Sequence, residues 1–412
     1  MFFVPKIIND PVHGFISIQD ELIYRLISHP YFQRLRRIKQ MALAYLVYPG
    51  AVHTRLHHCL GAYHLMCMAL QELRHKGVSI TEEEALGAKV AILLHDIGHG
   101  PFSHALEHSL VDVHHESISL LIMERLNHEF DGALHTGIEI FTGTYPKKYL
   151  HQLVSSQLDV DRLDYLARDS FFTGVSEGVI GYDRILKMLA VHQDNLVVEE
   201  KGIHSAENFL IARRLMYLQV YLHKTVLSSE LMLVNILQRA RVLCGQGEEL
   251  FGTPSLKFFL QHKANEEDFK SDARFLNHFL MLDDSDINSA IKVWSTASDT
   301  ILSDLCSRLL ARQLFKVEFS ENEPVKRIQE IREQLLHQNS FTEDMLPYYL
   351  MAESSLNLTY RPENEGIGIL QKNGTVVDIS ELEYSLIHAG VLVPVKKHYI
   401  CYLKKTELPK GL

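Results

Sequence analysis

The chain has 412 residues and a mass of 47.3 kDa, more than one compact core normally fills, so a large domain with an added lobe, or two domains, is expected. Hydrophobic residues at 46% and charged residues at 22% exclude a disordered chain, and no apolar run nears the roughly 20 residues that a membrane helix needs. A net charge of -10 works against non-specific adhesion to nucleic acid or to anionic lipid.

The start, Met1-Phe2-Phe3-Val4-Pro5-Lys6, lacks the basic-then-apolar layout of a secretory signal. Five scattered cysteines (Cys59, Cys67, Cys244, Cys306 and Cys401) form no CxxC pair, which suits a reducing compartment and argues against a thiolate zinc site. A soluble cytoplasmic protein is therefore expected. Two local features stand out. Between Leu22 and Gln71 there is no acid, while Arg25, Arg34, Arg36, Arg37, Lys39 and Arg55 give a formal +6, so an anion could dock there, or these side chains pair with carboxylates elsewhere. Of the 24 histidines, 11 lie between His53 and His115, a density that favours a metal or proton-transfer site.

In chain order, Asn9-Asp10-Pro11 and His13-Gly14 are turn chemistry before the alternating Phe15-Ile16-Ser17-Ile18, which predicts a strand pair. Pro30 opens a helix through Ile38, with Tyr31, Leu35 and Ile38 on one stripe. A second helix is predicted from Thr54 to His75, closed by Lys76-Gly77. Thr81 and Glu84 form a capping box that starts a helix through the apolar run Ala88–Leu94. That helix ends at His95-Asp96-Ile97-Gly98-His99, so a polar cluster sits at the end of a core element. Further helices are predicted over Ser117–Leu126, Tyr149–Asp169, Tyr182–Ala190 and Ala206–Arg239, with Asn195–Ile203 as a hairpin. Beyond residue 245 the sequence reads as a helical stretch to Phe315, a polar linker, a hairpin at Lys372-Asn373-Gly374 and a strand over Val391–Leu403. The expected fold is mainly α, with a core over residues 1–245 and a smaller α+β lobe over 246–412.

His58, the adjacent pair His95 and Asp96, and Asp161 are candidate metal ligands: two imidazoles and two carboxylates would leave positions of an octahedral ion for water and a substrate oxygen. An adjacent His-Asp pair alone is a weak signal, since such dipeptides also cap helices. The wider pattern, His58, then His95-Asp96 37 residues later, then Asp161 within Asp159-Val160-Asp161-Arg162-Leu163-Asp164-Tyr165, resembles the H…HD…D signature of the HD-domain metal-dependent phosphohydrolases. More narrowly, it is similar to the branch that cleaves deoxynucleoside triphosphates, the dGTPase-like and sterile-alpha-motif/HD enzymes. Stretches around Asn9–Gly14, Phe32–Gln40, Arg55–Gly61, His95–His104, Asp159–Asp169 and Arg213–Lys224 carry the likeness in order.

The resemblance implies hydrolysis of deoxynucleoside triphosphates to deoxynucleoside and tripolyphosphate, with activated water attacking the α-phosphorus. It implies one divalent ion, of Mn, Fe, Ni, Zn or Mg, on His58, His95, Asp96 and Asp161. His115 would be the general acid that protonates O5′, with His99 as its neighbour or alternate and Glu107, where relatives carry Asp, orienting it. Arg55, Arg162, Arg213 and His104 would meet the phosphates, and Gln40, Tyr165, Asp169, Tyr217 and Tyr221 the sugar and base. Lys6, Asn9 and Arg36 match positions that hold a regulatory nucleotide at a subunit interface, which implies an activating nucleotide and a homo-oligomer, dimer or tetramer.

Simpler readings stand beside these. Arg162 could pair with Asp164, Asp169 or Glu207; His104 and Glu107 could cap helices or face solvent; Tyr217 and Tyr221 could be core aromatics. The alternative functions are an HD-fold phosphohydrolase acting on another nucleotide phosphate ester, and a nucleotide-sensing or single-strand nucleic-acid-binding module supported by the acid-free basic window.

Overall fold

The computed structural model describes residues 3–107, 109–337, 341–357, 360, 366–382 and 395–404. It is mainly α, with a continuous apolar core running from the N-terminal hairpin to the last strand. The hairpin forms as expected: Lys6–Asp10 pairs antiparallel with Gly14–Ile18, and Gly14, at φ +75°, makes the turn that an L side chain resists. No helix among the described residues is long and apolar enough to cross a membrane.

The two helices that frame the site follow their capping signals. Thr54 and His57 box the start of Arg55–His75, and Gly77 follows its end in the left-handed region, at φ +85°. Thr81 and Glu84 box the start of Glu82–Leu94. The two helices pack on each other and the Arg55–His75 helix packs on Val160–Thr173. That contact is close because position 61 is glycine: a Cβ there would overlap the Asp164 and Arg168 side chains.

Elsewhere the elements differ from the periodicity reading, each for a local reason. The span Tyr149–Asp169 is two helices, Lys148–Val154 and Val160–Thr173, because Asp159 turns back to cap the second, accepting from Ser156 N at 2.7 Å and Arg162 N at 2.7 Å. Ala206–Arg239 divides likewise into Ile203–Met216 and Lys224–Gly245, separated by a π-helical turn over Tyr217–Tyr221 and capped by His223. After Pro30 only one α-turn forms, to Gln33, before a 3-10 turn over Arg34–Arg37. The hairpin starts earlier than expected: Leu189–His192 pairs with Asn195–Glu199, the helix before it stops at Met188, and Ile203 already begins the next helix. The helix at Ser117–Leu126 extends over His115–Glu129.

Past residue 245 the helical stretch is five short helices between Pro254 and Leu310. The expected linker instead holds the strand Lys316–Ser320, the helix Val325–Leu336 and the strand Leu350–Asn357. Those two strands flank Val395–Tyr402 in an antiparallel sheet; residues 391–394 of the expected last strand lie outside the described residues. The turn at Lys372-Asn373-Gly374 forms, and its strands Gly368–Leu370 and Val376–Asp378 extend the Asn195–Glu199 hairpin into a four-stranded sheet.

Most of the acid-free window is spent on structure. Arg34 is fully buried and donates to the carbonyls of Ile97 (3.1 Å), His99 (2.9 Å) and Leu282 (3.1 Å), and burial pulls its guanidinium down to about 9. Arg37 pairs with Asp283 and Lys39 with Asp284. Two of the window's six charges, Arg37 and Lys39, are thus met by acids of the C-terminal region, and Arg34 braces the loop that carries His95 to His99.

Candidate active site

Three helices deliver the predicted metal ligands. His58 lies one turn into Arg55–His75, His95 caps the end of Glu82–Leu94, and Asp161 sits in the first turn of Val160–Thr173. The Nε2 atoms of His58 and His95 are 3.2 Å apart. Asp161 Oδ1 is 3.1 Å from the first and 3.4 Å from the second, and the Asp96 carboxylate approaches them to 3.8 and 3.5 Å. His58, His95 and Asp161 form one close group, and Asp96, which groups with His99 and His115, adjoins it.

This donor set fits a divalent ion. His95 Nδ1–H donates to the Ile92 carbonyl at 2.6 Å, and His58 Nδ1–H to Asp164 Oδ2 at 2.8 Å, so in both neutral rings Nε2 keeps its lone pair for the centre of the cluster. Two facing imidazole nitrogens and two carboxylates are better satisfied by a shared cation than by protons. With protons alone, burial works to lower the His58 value, but hydrogen bonds with Asp161 and Asp164 overcome it and push it up to about 10. A metal must displace that proton. The affinity of metal-stripped protein for Mn²⁺ is therefore expected to rise about tenfold per pH unit from pH 7 to 9. Calorimetry in two buffers of different ionisation enthalpy checks this, and an affinity flat in pH, with no proton released, would contradict it.

Behind His58 lies a network that the sequence reading did not identify. Asp164 takes His58 on one oxygen and His13 Nε2 on the other, at 2.6 Å. Arg168 grips both Asp164 oxygens at 2.9 Å and reaches both Asp10 oxygens at 2.8 and 3.2 Å. Asp164 and Arg168 are fully buried. Burial opposes the Asp164 charge, yet Arg168, His13 and His58 hold its carboxyl well below the usual range. The N-terminal hairpin is thereby tied to a ligand of the cluster. The available signal was the Asp164/Arg168 spacing of four, which marks a helical ion pair but not its distant partners.

The predicted proton carriers gather on one wall. His99 stacks on His115 with ring centroids 3.8 Å apart. His99 Nε2 is 3.2 Å from Asp96, and Nδ1 is 2.9 Å from Ser103 Oγ. Burial, with the Arg55 charge adding to it, pulls His99 down to about 3. His115 is the more open ring, with its side chain 26% exposed, and its Nδ1 is 3.4 Å from Glu107 Oε1. His115 begins the His115–Glu129 helix, packed so closely on the His95–His99 loop that a Cβ at Gly98 would overlap its carbonyl. His104 belongs to the Ser103–Glu107 helix, but its side chain lies outside the described residues.

Arg55, Arg162 and Arg213 all line one cleft of about 1050 Å³ that opens from the metal cluster. Arg55 also donates to Asp96 Oδ2 at 2.6 Å and to Ser103 at 3.0 Å, so it positions a ligand. Arg162 pairs with Asp159, the cap of its own helix, and not with Asp164, Asp169 or Glu207. Arg213 reaches Gln157 at 3.4 Å.

Along the same cleft stand Gln40, Tyr165, Asp169, Tyr217 and Tyr221. Asp161, Tyr165 and Asp169 recur every four residues on one helix, so all three face the cleft. Among the described residues Gln40 Oε1 has no hydrogen-bond partner. Asp169 accepts from Tyr221 Oη at 2.6 Å and is 2.8 Å from His53 Nε2. The rings of Tyr165 and Tyr217 each meet Tyr221 edge-on. Tyr217 and Tyr221 are only partly buried, so they are not simple core aromatics. Glu230, from the Lys224–Gly245 helix, and Ser354, Ser355 and Tyr399, from the C-terminal sheet, complete the wall; no motif marked them. Lys6, Asn9 and Arg36 are exposed and not hydrogen-bonded to one another through their side chains; Arg36 holds Gln33 at 2.7 Å.

Comparison with known proteins agrees with this geometry. Residues 55–169 match the HD domain family and residues 180–243 the HD associated region. The chain is 35% identical over 394 residues to YwfO of Bacillus subtilis, covering 91% of this chain and 87% of that protein. It is 32% identical over 256 residues to the Dictyostelium discoideum homolog of the deoxynucleoside triphosphate triphosphohydrolase SAMHD1, covering 57% of this chain and 49% of that one. The crystal structure of a phosphohydrolase from Bacteroides thetaiotaomicron superposes with a TM-score of 0.93 at 50% identity, covering 97% of this chain and all of that one. The histidines and carboxylates that meet at the ends of three helices, and likeness over nearly the full length, make this chain a member of the HD-domain phosphohydrolase family, a hydrolase built to hold a divalent metal.

Proposed function

We propose that the protein hydrolyses deoxynucleoside triphosphates to deoxynucleoside and tripolyphosphate. The observation that carries this reading is a single helix face: Asp161 at the metal cluster, then Tyr165, then Asp169, all lining the same cleft. A nucleotide with its α-phosphorus at the cluster would lay its sugar on Tyr165, and a ring packed against C2′ leaves no room for a 2′-hydroxyl. The name of the Dictyostelium relative supports the same reaction.

In this reading His58, His95, Asp96 and Asp161 hold the ion, which when bound supplies Lewis acidity and lowers the pKa of water. Arg162 and Arg213 neutralise the triphosphate, while Arg55 fixes Asp96 and meets phosphate with its remaining edge. Water adds at the α-phosphorus, the bond to O5′ breaks, and His115 gives O5′ its proton. Glu107 steadies His115, and His99 stacks on it. Residues 1–245 carry this chemistry, and residues 246–412 close the outer end of the cleft. Lys6, Asn9 and Arg36 are the candidates for a regulatory nucleotide, in a homo-oligomer.

Incubation with the four deoxynucleoside triphosphates and Mn²⁺, followed by anion-exchange chromatography, tests the cut. Tripolyphosphate is the expected product; pyrophosphate or stepwise orthophosphate would refute it. In the same assay His115→Asn is expected to lower kcat by about 10²- to 10⁴-fold with metal content unchanged, and an undiminished rate would remove His115 as the acid.

A further inference from the structure

A two-stranded sheet is marginal by itself, so the hairpin of Lys6–Asp10 and Gly14–Ile18 keeps its place by what its inner side grips. Ile16 and Ile18 enter the core, while Ile7 and Phe15 on the other face are exposed. The turn between the strands aims one side chain. Asp10 Oδ1 accepts from the N–H groups of Val12 at 3.0 Å and His13 at 2.9 Å, a bracing that needs no distant partner. His13 is thereby turned inward, and its side chain is fully buried although the strands beside it lie at the surface. Its ring meets Tyr182 edge-on and His64 at a tilt, with centroids 5.2 and 5.5 Å away. The ionised Asp164 carboxylate can only accept, so His13 donates to it from Nε2 at 2.6 Å. That leaves a lone pair on Nδ1, to which Tyr182 Oη donates at 3.3 Å. With its other oxygen Asp164 accepts from His58 Nδ1 at 2.8 Å, and His58 Nε2 keeps its lone pair beside Asp161 and His95. Tyr182, His13, Asp164 and His58 stand on four different elements, yet each fixes the orientation of the next.

We propose that His13 is a positioning residue of the metal centre: by holding Asp164 where it orients His58, it makes docking of the hairpin and binding of the metal strengthen each other. The inference rests on His58 as a ligand of the ion, and not on the reaction proposed above. A bound ion fixes His58 Nε2, hence Asp164, hence the acceptor that His13 reaches. Without the ion the chain of bonds loses its inner end, and the hairpin loses part of its grip. Linkage makes the two effects equal: whatever factor the docked hairpin adds to metal affinity, the metal adds to the protection of the hairpin.

Hydrogen–deuterium exchange of the full chain, stripped with a chelator and reloaded with Mn²⁺, reads this coupling without turnover. The amides from Asp10 to Ile18 are expected to exchange about 3- to 30-fold more slowly in the loaded protein. Two variants separate the hydrogen bond from the packing. His13→Gln keeps an N–H donor near the place of Nε2 and loses the ring, whereas His13→Phe keeps a ring against Tyr182 and His64 and loses the donor. By calorimetry the His13→Gln variant should bind Mn²⁺ within about twofold of the parent, and the His13→Phe variant about 3- to 30-fold more weakly, without metal-dependent protection of its hairpin. Hairpin exchange indifferent to Mn²⁺ in the parent, parental affinity in His13→Phe, or an affinity that follows the ring and not the donor would overturn the proposal. The first of these needs no variant, so it decides the matter even where His13→Phe does not fold. If Mn²⁺ binds and the hairpin ignores it, the ligands stand and the coupling falls; if the parent binds no Mn²⁺, both fall. Coupling without any tripolyphosphate formed would fell the reaction alone.

Discussion

Asp161→Ala is expected to leave a folded protein that holds no metal and has no detectable turnover. Asp161 Oδ1 lies 3.1 Å from His58 Nε2 and 3.4 Å from His95 Nε2, closer to both than Asp96 at 3.8 and 3.5 Å, so its removal takes away the carboxylate nearest the paired Nε2 atoms. The loss in metal affinity should exceed the roughly 10- to 100-fold typical of losing an outer partner of a ligand. The fold should survive. Asp161 is at the partly exposed end of the cluster, while Asp164 still orients His58 from behind. Without Asp161, the His58 value falls from about 10, because one of the two carboxylates that raise it is gone. Metal content by mass spectrometry, thermal melting and the tripolyphosphate assay check the prediction together. Full metal occupancy with normal turnover would exclude Asp161 from the ligand set.

How much of this site the sequence discloses depends on whether its parts are local. His58, His95 and Asp161 sit at helix starts and ends whose caps are written nearby, in Thr54, in Thr81 with Glu84, and in Asp159. Once those helices are placed, their convergence is a matter of three packed elements. Asp161, Tyr165 and Asp169 were legible for the same reason, as a period of four on one helix. Local caps also explain the errors. Asp159 and His223 interrupt stretches whose apolar periodicity alone reads as continuous, because a side chain competing for backbone N–H groups ends a helix regardless of the pattern. Periodicity also gave no warning that the expected linker after Phe315 holds strands, since the Lys316–Ser320 and Leu350–Asn357 segments are defined by pairing to Val395–Tyr402, far along the chain. Glu230 was silent too: an acid on a helix is ordinarily a solvated residue, and only the arrival of Tyr399 and Ser355 turns it into part of a cleft.

Arg168→Met is expected to be the most destabilising single change near the site although it touches no substrate. Arg168 is fully buried and is the cation shared by Asp164 and Asp10, 158 positions away from the latter. Methionine fills similar volume but leaves two buried carboxylates without their counter-charge, which costs about 3–5 kcal/mol at pH 7. The pH dependence has a definite sign. In the parent, both carboxyls are held below their ordinary values, so their contribution is present above the unfolded carboxylate range and is lost only as pH falls through the lower folded values. In the variant, burial acts without Arg168 and raises them, so protonation relieves the strain as pH falls. The stability gap between parent and variant, read from urea unfolding, is therefore expected to be widest near pH 7 and to narrow below about pH 5. Asp10→Asn combined with Arg168→Met should recover part of the loss by removing one of the two stranded charges. Metal affinity should fall about 10- to 100-fold in the single variant, because Asp164 no longer sits where it fixes the His58 tautomer. A gap under about 1 kcal/mol at pH 7, or one that widens in acid, would mean that Asp10 and Asp164 do not depend on Arg168 for their charge, and that the hairpin and the metal cluster are held together by packing alone.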